Sequence, residues 1–418
     1  MTLPSAAQTP TARGADTARL LLIVCIGLAL YTGIVVARTH PLGTGFDEIA
    51  HLSFVVALRD HPTLFPAWGT YVLLDPLGGG WTSTPNWIAH PPLYYLIASP
   101  LTALFPGDVL PLRLFDVALD LSGLALMALA GLNRLRGTLA RVVFVAAVFG
   151  PPMTLGVSGL VNNDALMRFE IGLLVYAAFA EQRRPVLIAL MLAALGWTKI
   201  HGFVAGSLFV AMLHLGDLRS ARARLASPAT ALLVLGVGVG LVPHVANFVA
   251  LGRPVWVPPA FPDWFRQVPP DVRATVSILD YARVWFRDLA LLLPYHASIF
   301  EARPLLLALF VLPFTALRRA AAPDPATRDL ALACLAAVAA TTALLFAYGW
   351  SSFRATGSLE EIQTRYFLPI WPMLAFTLAL GVAALPRLVA PLVAAALLIG
   401  LAAASPPGYA LLAELGWI

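Results

Sequence analysis

A chain of 418 residues that is 59% hydrophobic and 12% charged is not a soluble enzyme, since soluble domains carry roughly 25% charged residues. Its net charge of +5 lies almost wholly in arginines between apolar runs, with Lys199 the only lysine; that is the pattern of cytoplasmic loops, and it excludes a nucleic-acid partner. Both cysteines, Cys25 and Cys334, sit inside apolar runs, which argues for buried thiols and against a disulfide framework or a thiolate metal site.

A helix needs about 20 apolar residues to cross the hydrocarbon. The apolar runs predict spans near 19–37, 112–134, 139–158, 164–181, 185–199, 201–216, 227–250, 303–318, 329–349, 366–384 and 387–404. The expected fold class is therefore an all-α polytopic integral membrane protein, a single domain over 1–418 with about eleven transmembrane helices. The first run is too long for a signal-peptide core and is read as a retained span. Arginines fall on one side throughout: Arg13 and Arg19; Arg134, Arg136 and Arg141; Arg183 and Arg184; Arg219, Arg222 and Arg224; Arg318, Arg319 and Arg328. That side should be cytoplasmic. In the expected setting, the bacterial cytoplasmic membrane, the opposite face looks onto the periplasm or the cell exterior.

Two long segments then lie outside, a first outer loop over 38–111 and a second over 251–302. Loops this long are usually functional or disordered, and both are rich in Trp, Tyr, Phe and Pro. Within the first, "IAHLSFVVAL" and "PPLYYLIASPLTALF" are apolar helical stretches too short to span, so interfacial helices are expected there.

Polar clusters mark the outer ends of several spans. Asp47, Glu48 and His51 follow the first. Asn162, Asn163 and Asp164 open the fourth. Lys199 and His201 separate two short spans. Arg354, Glu360, Glu361, Gln363, Arg365 and Tyr366 lead into the tenth. Each has an ordinary structural explanation. Acids suit helix starts, Asp164 is a natural N-cap, Arg168 is spaced to pair with Asp164, and Arg365 and Tyr366 fit interfacial anchors. Taken together they carry more, because ionisable groups near the membrane interior are costly and usually face a cavity or a partner.

"FDEIAH", "HPPLYYL", "VNNDAL", "TK" and "TRYFLP" occur in this order along the chain. In that order the motifs resemble the GT-C membrane glycosyltransferases that use polyprenyl-phosphate-linked sugars, relatives of the protein O-mannosyltransferases and the lipid A aminoarabinose transferases. The resemblance covers most of the chain as topology and about five short stretches as motifs. It implies catalytic acids in the first outer loop, Asp47 as general base with Glu48 beside it, and a further acid at Asp164. The larger members carry a C-terminal soluble domain, which is not expected within these 418 residues, so the resemblance points to no protein or peptide acceptor.

The chemistry expected of such a site is sugar transfer to an acceptor hydroxyl, on a lipid, a glycan or a protein. Asp47 would take the hydroxyl proton. Lys199, Arg365 and Arg354 would hold the donor phosphate, with His51, His90, Asn163, Asp164, His201 and Tyr366 completing the substrate-binding set. No cofactor is expected. Asp47, His51 and Asp164 offer donor atoms for a divalent metal, but there is no DxD motif and no clustered ligand set, so a metal-independent reaction is preferred. The competing readings are a transporter or lipid flippase, which would place its charges on broken helices at mid-membrane within internal repeats, and a non-catalytic scaffold, which needs no clustering of acids with cations.

Overall fold

A computed structural model of the chain describes residues 12–43, 47–67, 69–76, 80–150, 154, 157–215, 227–251, 268–290, 311–315, 324–357 and 364–404. The elements in order are helices α1 (Ala12–Thr39) and α2 (Glu48–Asp60), strands β1 (Val72–Leu74) and β2 (Trp81–Pro85), then α3 (Leu93–Leu104), α4 (Leu110–Arg134), α5 (Thr138–Phe149), α6 (Asp164–Phe179), α7 (Pro185–Thr198), α8 (Ile200–Leu215), α9 (Pro228–Leu251), α10 (Pro270–Thr275), α11 (Ile278–Ala290), α12 (Pro325–Thr356), a 3-10 helix (Thr364–Ile370), α13 (Trp371–Ala383) and α14 (Val389–Ala404).

Five helical segments among the described residues are long and apolar enough to cross a membrane: Thr17–Thr39, Leu110–Arg134, Pro228–Ala250, Pro325–Thr356 and Arg365–Ala383. α5, α7, α8 and α14 are shorter apolar helices. α1 leaves Leu20, Ile23, Leu28 and Tyr31 exposed, and α9 leaves Val234, Leu235, Val245 and Val249 exposed. Apolar surface of this extent suits lipid and not water. The protein is a multi-pass, mostly helical membrane protein.

Local chemistry explains several boundaries. Asp324 caps α12 by accepting the Thr327 N–H at 2.8 Å, with Pro325 in the first turn, and Gly357 ends that helix at φ 79°, the left-handed stop that favours glycine. Gly150 closes α5 just before Pro151. Of the third expected span, 139–158, α5 supplies the twelve residues Thr138–Phe149, and 151–153 and 155–156 lie outside the described residues. The expected span 303–318 lies mostly outside the described residues, as do Glu360, Glu361, Gln363 and most of the segment 251–302.

α4 and α6 form the most extensive helix pair. Their backbones meet at glycine: a Cβ on Gly123 would come within 2.5 Å of the Arg168 carbonyl oxygen, and one on Gly172 within 2.5 Å of the Gly123 carbonyl oxygen. Small residues permit this approach in membrane helices. α7 packs on α9, α8 on α12, α13 on α5, and α1 on α4 and α5.

The segment between α1 and α4 packs onto the helices and adds one element that the sequence did not announce. α2 is buried among protein side chains along most of its length, including Ile49, Leu52, Phe54, Val55 and Leu58, and with α3 it builds a core of its own around Phe54, Tyr94 and Tyr95. Its apolarity thus serves protein packing, while α3 leaves Ile97 and Leu104 exposed. Between α2 and α3 runs an antiparallel hairpin, unanticipated in the sequence, with Val72 opposite Pro85 and Leu74 opposite Trp81. Ser53 Oγ accepts the Leu74 N–H at 2.8 Å, and Asn86 Nδ2 donates to the Ala50 carbonyl at 2.9 Å. These bonds fasten the hairpin to α2 and fix the position of Trp87.

Candidate active site

Asp47 precedes α2 at φ 61°, the only non-glycine positive φ among the described residues. Aspartate tolerates this conformation better than most residues. Its side chain makes no cap to the helix it precedes. Oδ2 accepts from an Arg365 terminal nitrogen at 2.7 Å and Oδ1 from the Trp87 indole N–H at 3.0 Å. Three distant segments meet at this carboxylate, whose side chain keeps 24% of its exposure against 5% for Arg365. Burial alone would raise the carboxyl, but the Arg365 charge and hydrogen bond, with the Trp87 N–H, outweigh it and hold Asp47 below its ordinary value. It is ionised at neutral pH.

Arg365 keeps capacity in reserve. Its Nε and its second terminal nitrogen are buried with no partner among the described residues, which is expensive for a guanidinium unless a ligand supplies acceptors. The Arg365 guanidinium lies 5.6 Å from the centroid of the Tyr366 ring, and that ring stacks on His201 at 4.0 Å and 2°. The Arg-Tyr dipeptide thus links Asp47 to the first turn of α8.

That break is the single extended residue Lys199, φ −158° and ψ 131°. Its ammonium is fully buried and donates to Asp164 Oδ1 at 2.6 Å. Asp164 Oδ2 and His201 Nδ1 are buried without a partner among the described residues. Asn163 donates through Nδ2 to the Thr198 carbonyl at 3.1 Å, so the start of α6 is tied to the end of α7. Asp164 therefore pairs with Lys199 and not with Arg168. Arg168 turns toward α4, where it meets Asp120 and the Thr154 carbonyl.

His51 faces the same cluster. Its Nδ1 meets the Tyr95 hydroxyl at 2.9 Å, and its ring stacks on His90 at 5.7 Å. Burial and then the Lys199 charge hold His51 at about 3. Burial and Lys199 likewise keep His90 well below its ordinary value. Both imidazoles are neutral at pH 7, so they serve as hydrogen-bonding walls and not as charges. Among the described residues no three His, Cys, Asp or Glu side chains are grouped as metal ligands.

The structure thus brings together Asp47, His51, His90, Asn163, Asp164, Lys199, His201, Arg365 and Tyr366. Two expected members stand apart. Glu48 points the other way: Arg113 grips it at both oxygens, at 2.7 and 2.6 Å, Oε1 also accepts the Val161 N–H at 3.0 Å, and none of its side chain is exposed. Arg113 further binds the Ala37 and His40 carbonyls. Glu48 is a clamp between α1, α2, α4 and the turn before α6, and its side chain parts from that of Asp47 because Asp47 stands left-handed before α2 while Glu48 begins the helix. Arg354 is exposed at the end of α12, donates to the Arg273 carbonyl at 3.0 Å and lies over Trp350. It ties α10 to α12.

Sequence reasoning missed Trp87, Tyr95 and the charged face of α4, Arg113, Asp116 and Asp120. The last three recur at helical spacing inside an apolar span, a signal that ionisable residues in such spans always merit.

The described residues thus form a polytopic helical membrane fold around a bonded cluster of acids and bases. No protein-family model and no curated protein matches the chain. Solved structures do. ArnT from Cupriavidus metallidurans bound to undecaprenyl phosphate superposes with a TM-score of 0.53 at 16% identity, over 87% of this chain and 60% of that one. The apo form gives 0.51 at 17%, over 88% and 61%. The chain spans about three fifths of the length of these neighbours, and at such identities the likeness is one of fold.

Proposed function

We propose that the protein is a GT-C-type glycosyltransferase of the bacterial cytoplasmic membrane, moving a sugar from a polyprenyl-phosphate donor to an acceptor hydroxyl at the outer face. The observation that carries this reading is the Asp47 carboxylate, which leaves its own helix uncapped, stays ionised and partly open, and is held by an arginine with two donor nitrogens that have no partner among the described residues. The fold shared with ArnT, whose crystals hold undecaprenyl phosphate, supports the choice of donor class.

In this reading Asp47 takes the proton of the acceptor hydroxyl, the acceptor oxygen attacks the anomeric carbon, and the bond from that carbon to the phosphate oxygen breaks. The departing lipid phosphate carries the electron pair away toward Arg365, whose planar guanidinium fits its oxygens. Lys199 already faces Asp164, so its part is to fix that acid and to add positive potential, with direct phosphate contact secondary. His51 and His90 form a neutral wall. The reaction is metal-independent in this proposal, since Asp47 and Asp164 are each matched to a cation within the protein.

The test is a deletion strain complemented with wild type or with Asp47→Asn. Mass spectrometry of envelope glycolipids and glycans should show one defined sugar modification lost on deletion, restored by wild type and not by Asp47→Asn. An unchanged envelope on deletion, or restoration by Asp47→Asn, overturns the proposal.

A further inference from the structure

Asp116 is a fully buried acid of α4 that the chemistry above does not use. It makes no ion pair among the described residues. Its Oδ2 accepts the Tyr94 hydroxyl at 2.7 Å and the backbone N–H of Asn162 at 3.0 Å, while Oδ1 is buried with no partner among the described residues. A buried carboxylate with two donors on one oxygen and none on the other is costly.

Both donors lead to the site. On one side, the turn before α6 is held at two successive amides by two separate acids, Val161 by Glu48 and Asn162 by Asp116. The Asn162 side chain then accepts the Asp164 N–H at 2.9 Å, and Asp164 receives Lys199. On the other side, Tyr94 is the chain neighbour of Tyr95, whose hydroxyl meets His51. Asp116 touches none of the reacting groups, yet it is bonded to the turn that carries Asp164 and to the helix that carries Tyr95.

We infer that Asp116 is a positioning residue: its Oδ2 pins the 161–164 turn to α3, and so sets the Asp164–Lys199 pair against the His51 wall. The kinetic part of this inference rests on the transferase reading; the structural part does not. An error of about 1 Å in a site costs on the order of a hundredfold in rate, so a loosened turn should show in kcat and leave donor KM nearly unchanged.

The experiment uses the full chain in lipid nanodiscs, with undecaprenyl-phosphate sugar as donor. Three variants are compared with wild type by amide hydrogen exchange over 160–166 and by steady-state transfer. Asp116→Ala should speed exchange of this segment at least about tenfold and lower kcat by roughly 10- to 100-fold with donor KM within about threefold. Asp116→Asn, which keeps an acceptor oxygen, should stay within about threefold of wild type on both readouts. Tyr94→Phe, which removes only the α3 donor, should leave the Asn162 amide protected and lower kcat at unchanged KM. Wild-type exchange in the Ala variant, an unprotected turn in the Asn variant, a loss confined to KM, or an unaffected Tyr94→Phe each overturns the inference. If Asp116→Ala does not assemble, the Asn and Phe variants decide by the same criteria. Absence of transfer by the wild type with the exchange pattern intact would count against the transferase reading alone.

Discussion

Asp47 and Glu48 are chain neighbours, each an acid at the start of α2, and each is gripped by an arginine distant in sequence. There the likeness ends. Arg113 meets both Glu48 oxygens, and its remaining terminal nitrogen serves two backbone carbonyls. Arg365 meets Asp47 through one nitrogen, and its two others have no partner among the described residues. The Glu48 pair is sealed, and the Asp47 pair is open on one side. A satisfied buried pair holds a fold in place, whereas an unsatisfied one marks a site waiting for a ligand.

The largest difference should appear in rate. Asp47→Asn keeps shape and loses basicity, so transfer should fall by about 10²–10⁴-fold, with membrane expression unchanged, as quantitative immunoblotting of membranes would check. Next in size is stability at the sealed pair. Removing one partner of a buried ion pair costs roughly 3–5 kcal/mol, and Glu48→Gln should approach the lower end of that range, seen as a lower melting temperature in detergent or nanodiscs. A Glu48→Gln protein as heat-resistant as wild type would dissolve the contrast.

Arg365→Ala sharpens it from the cation side. Charged hydrogen bonds contribute about 1.5–3 kcal/mol, so donor use should weaken on the order of 10- to 100-fold, chiefly in binding of the lipid phosphate measured by titration. pH gives a smaller effect. His51 is held at about 3 in the folded protein against an ordinary value near 6.5. Below that ordinary value the unfolded chain takes up a proton that the folded one refuses. Stability from this group is therefore complete above about pH 6.5 and falls as pH drops toward 3, by up to about 2 kcal/mol between pH 6.5 and 5. Replacing His51 with Gln should flatten the melting temperature across that interval. The smallest effect belongs to Arg354→Ala. Its bonds are to the Arg273 carbonyl and the Trp350 ring, so transfer should stay within about twofold, as surface changes away from a site usually do.

Much of this was legible in the chain. Asp164, Lys199 and Arg365 stand out because a charge beside an apolar run requires a reason, and the break at Lys199 shows as two short runs with one residue between. That two adjacent acids point apart was legible; the partners that hold Asp47 and Glu48 were not. They include Arg113, 65 positions beyond Glu48, and their placing depends on a left-handed Asp47 that no residue pattern announces. The hairpin escaped because "WTSTP" has no apolar alternation; its bonds to Ser53 and Asn86 are long-range side-chain contacts. Arg354 and Arg365 looked equivalent in one motif, yet Gly357 ends α12 between them and separates their surroundings.

The most direct test sets the two neighbouring acids side by side: single-turnover transfer by purified Asp47→Asn and Glu48→Gln in nanodiscs, expressed per folded molecule. The account predicts that Asp47→Asn remains at least about a hundredfold slow however well folded it is, while Glu48→Gln recovers to within about tenfold of wild type once its folded fraction is counted, the remainder being misplacement of the turn it holds. Near-normal turnover by Asp47→Asn with none by Glu48→Gln would contradict it.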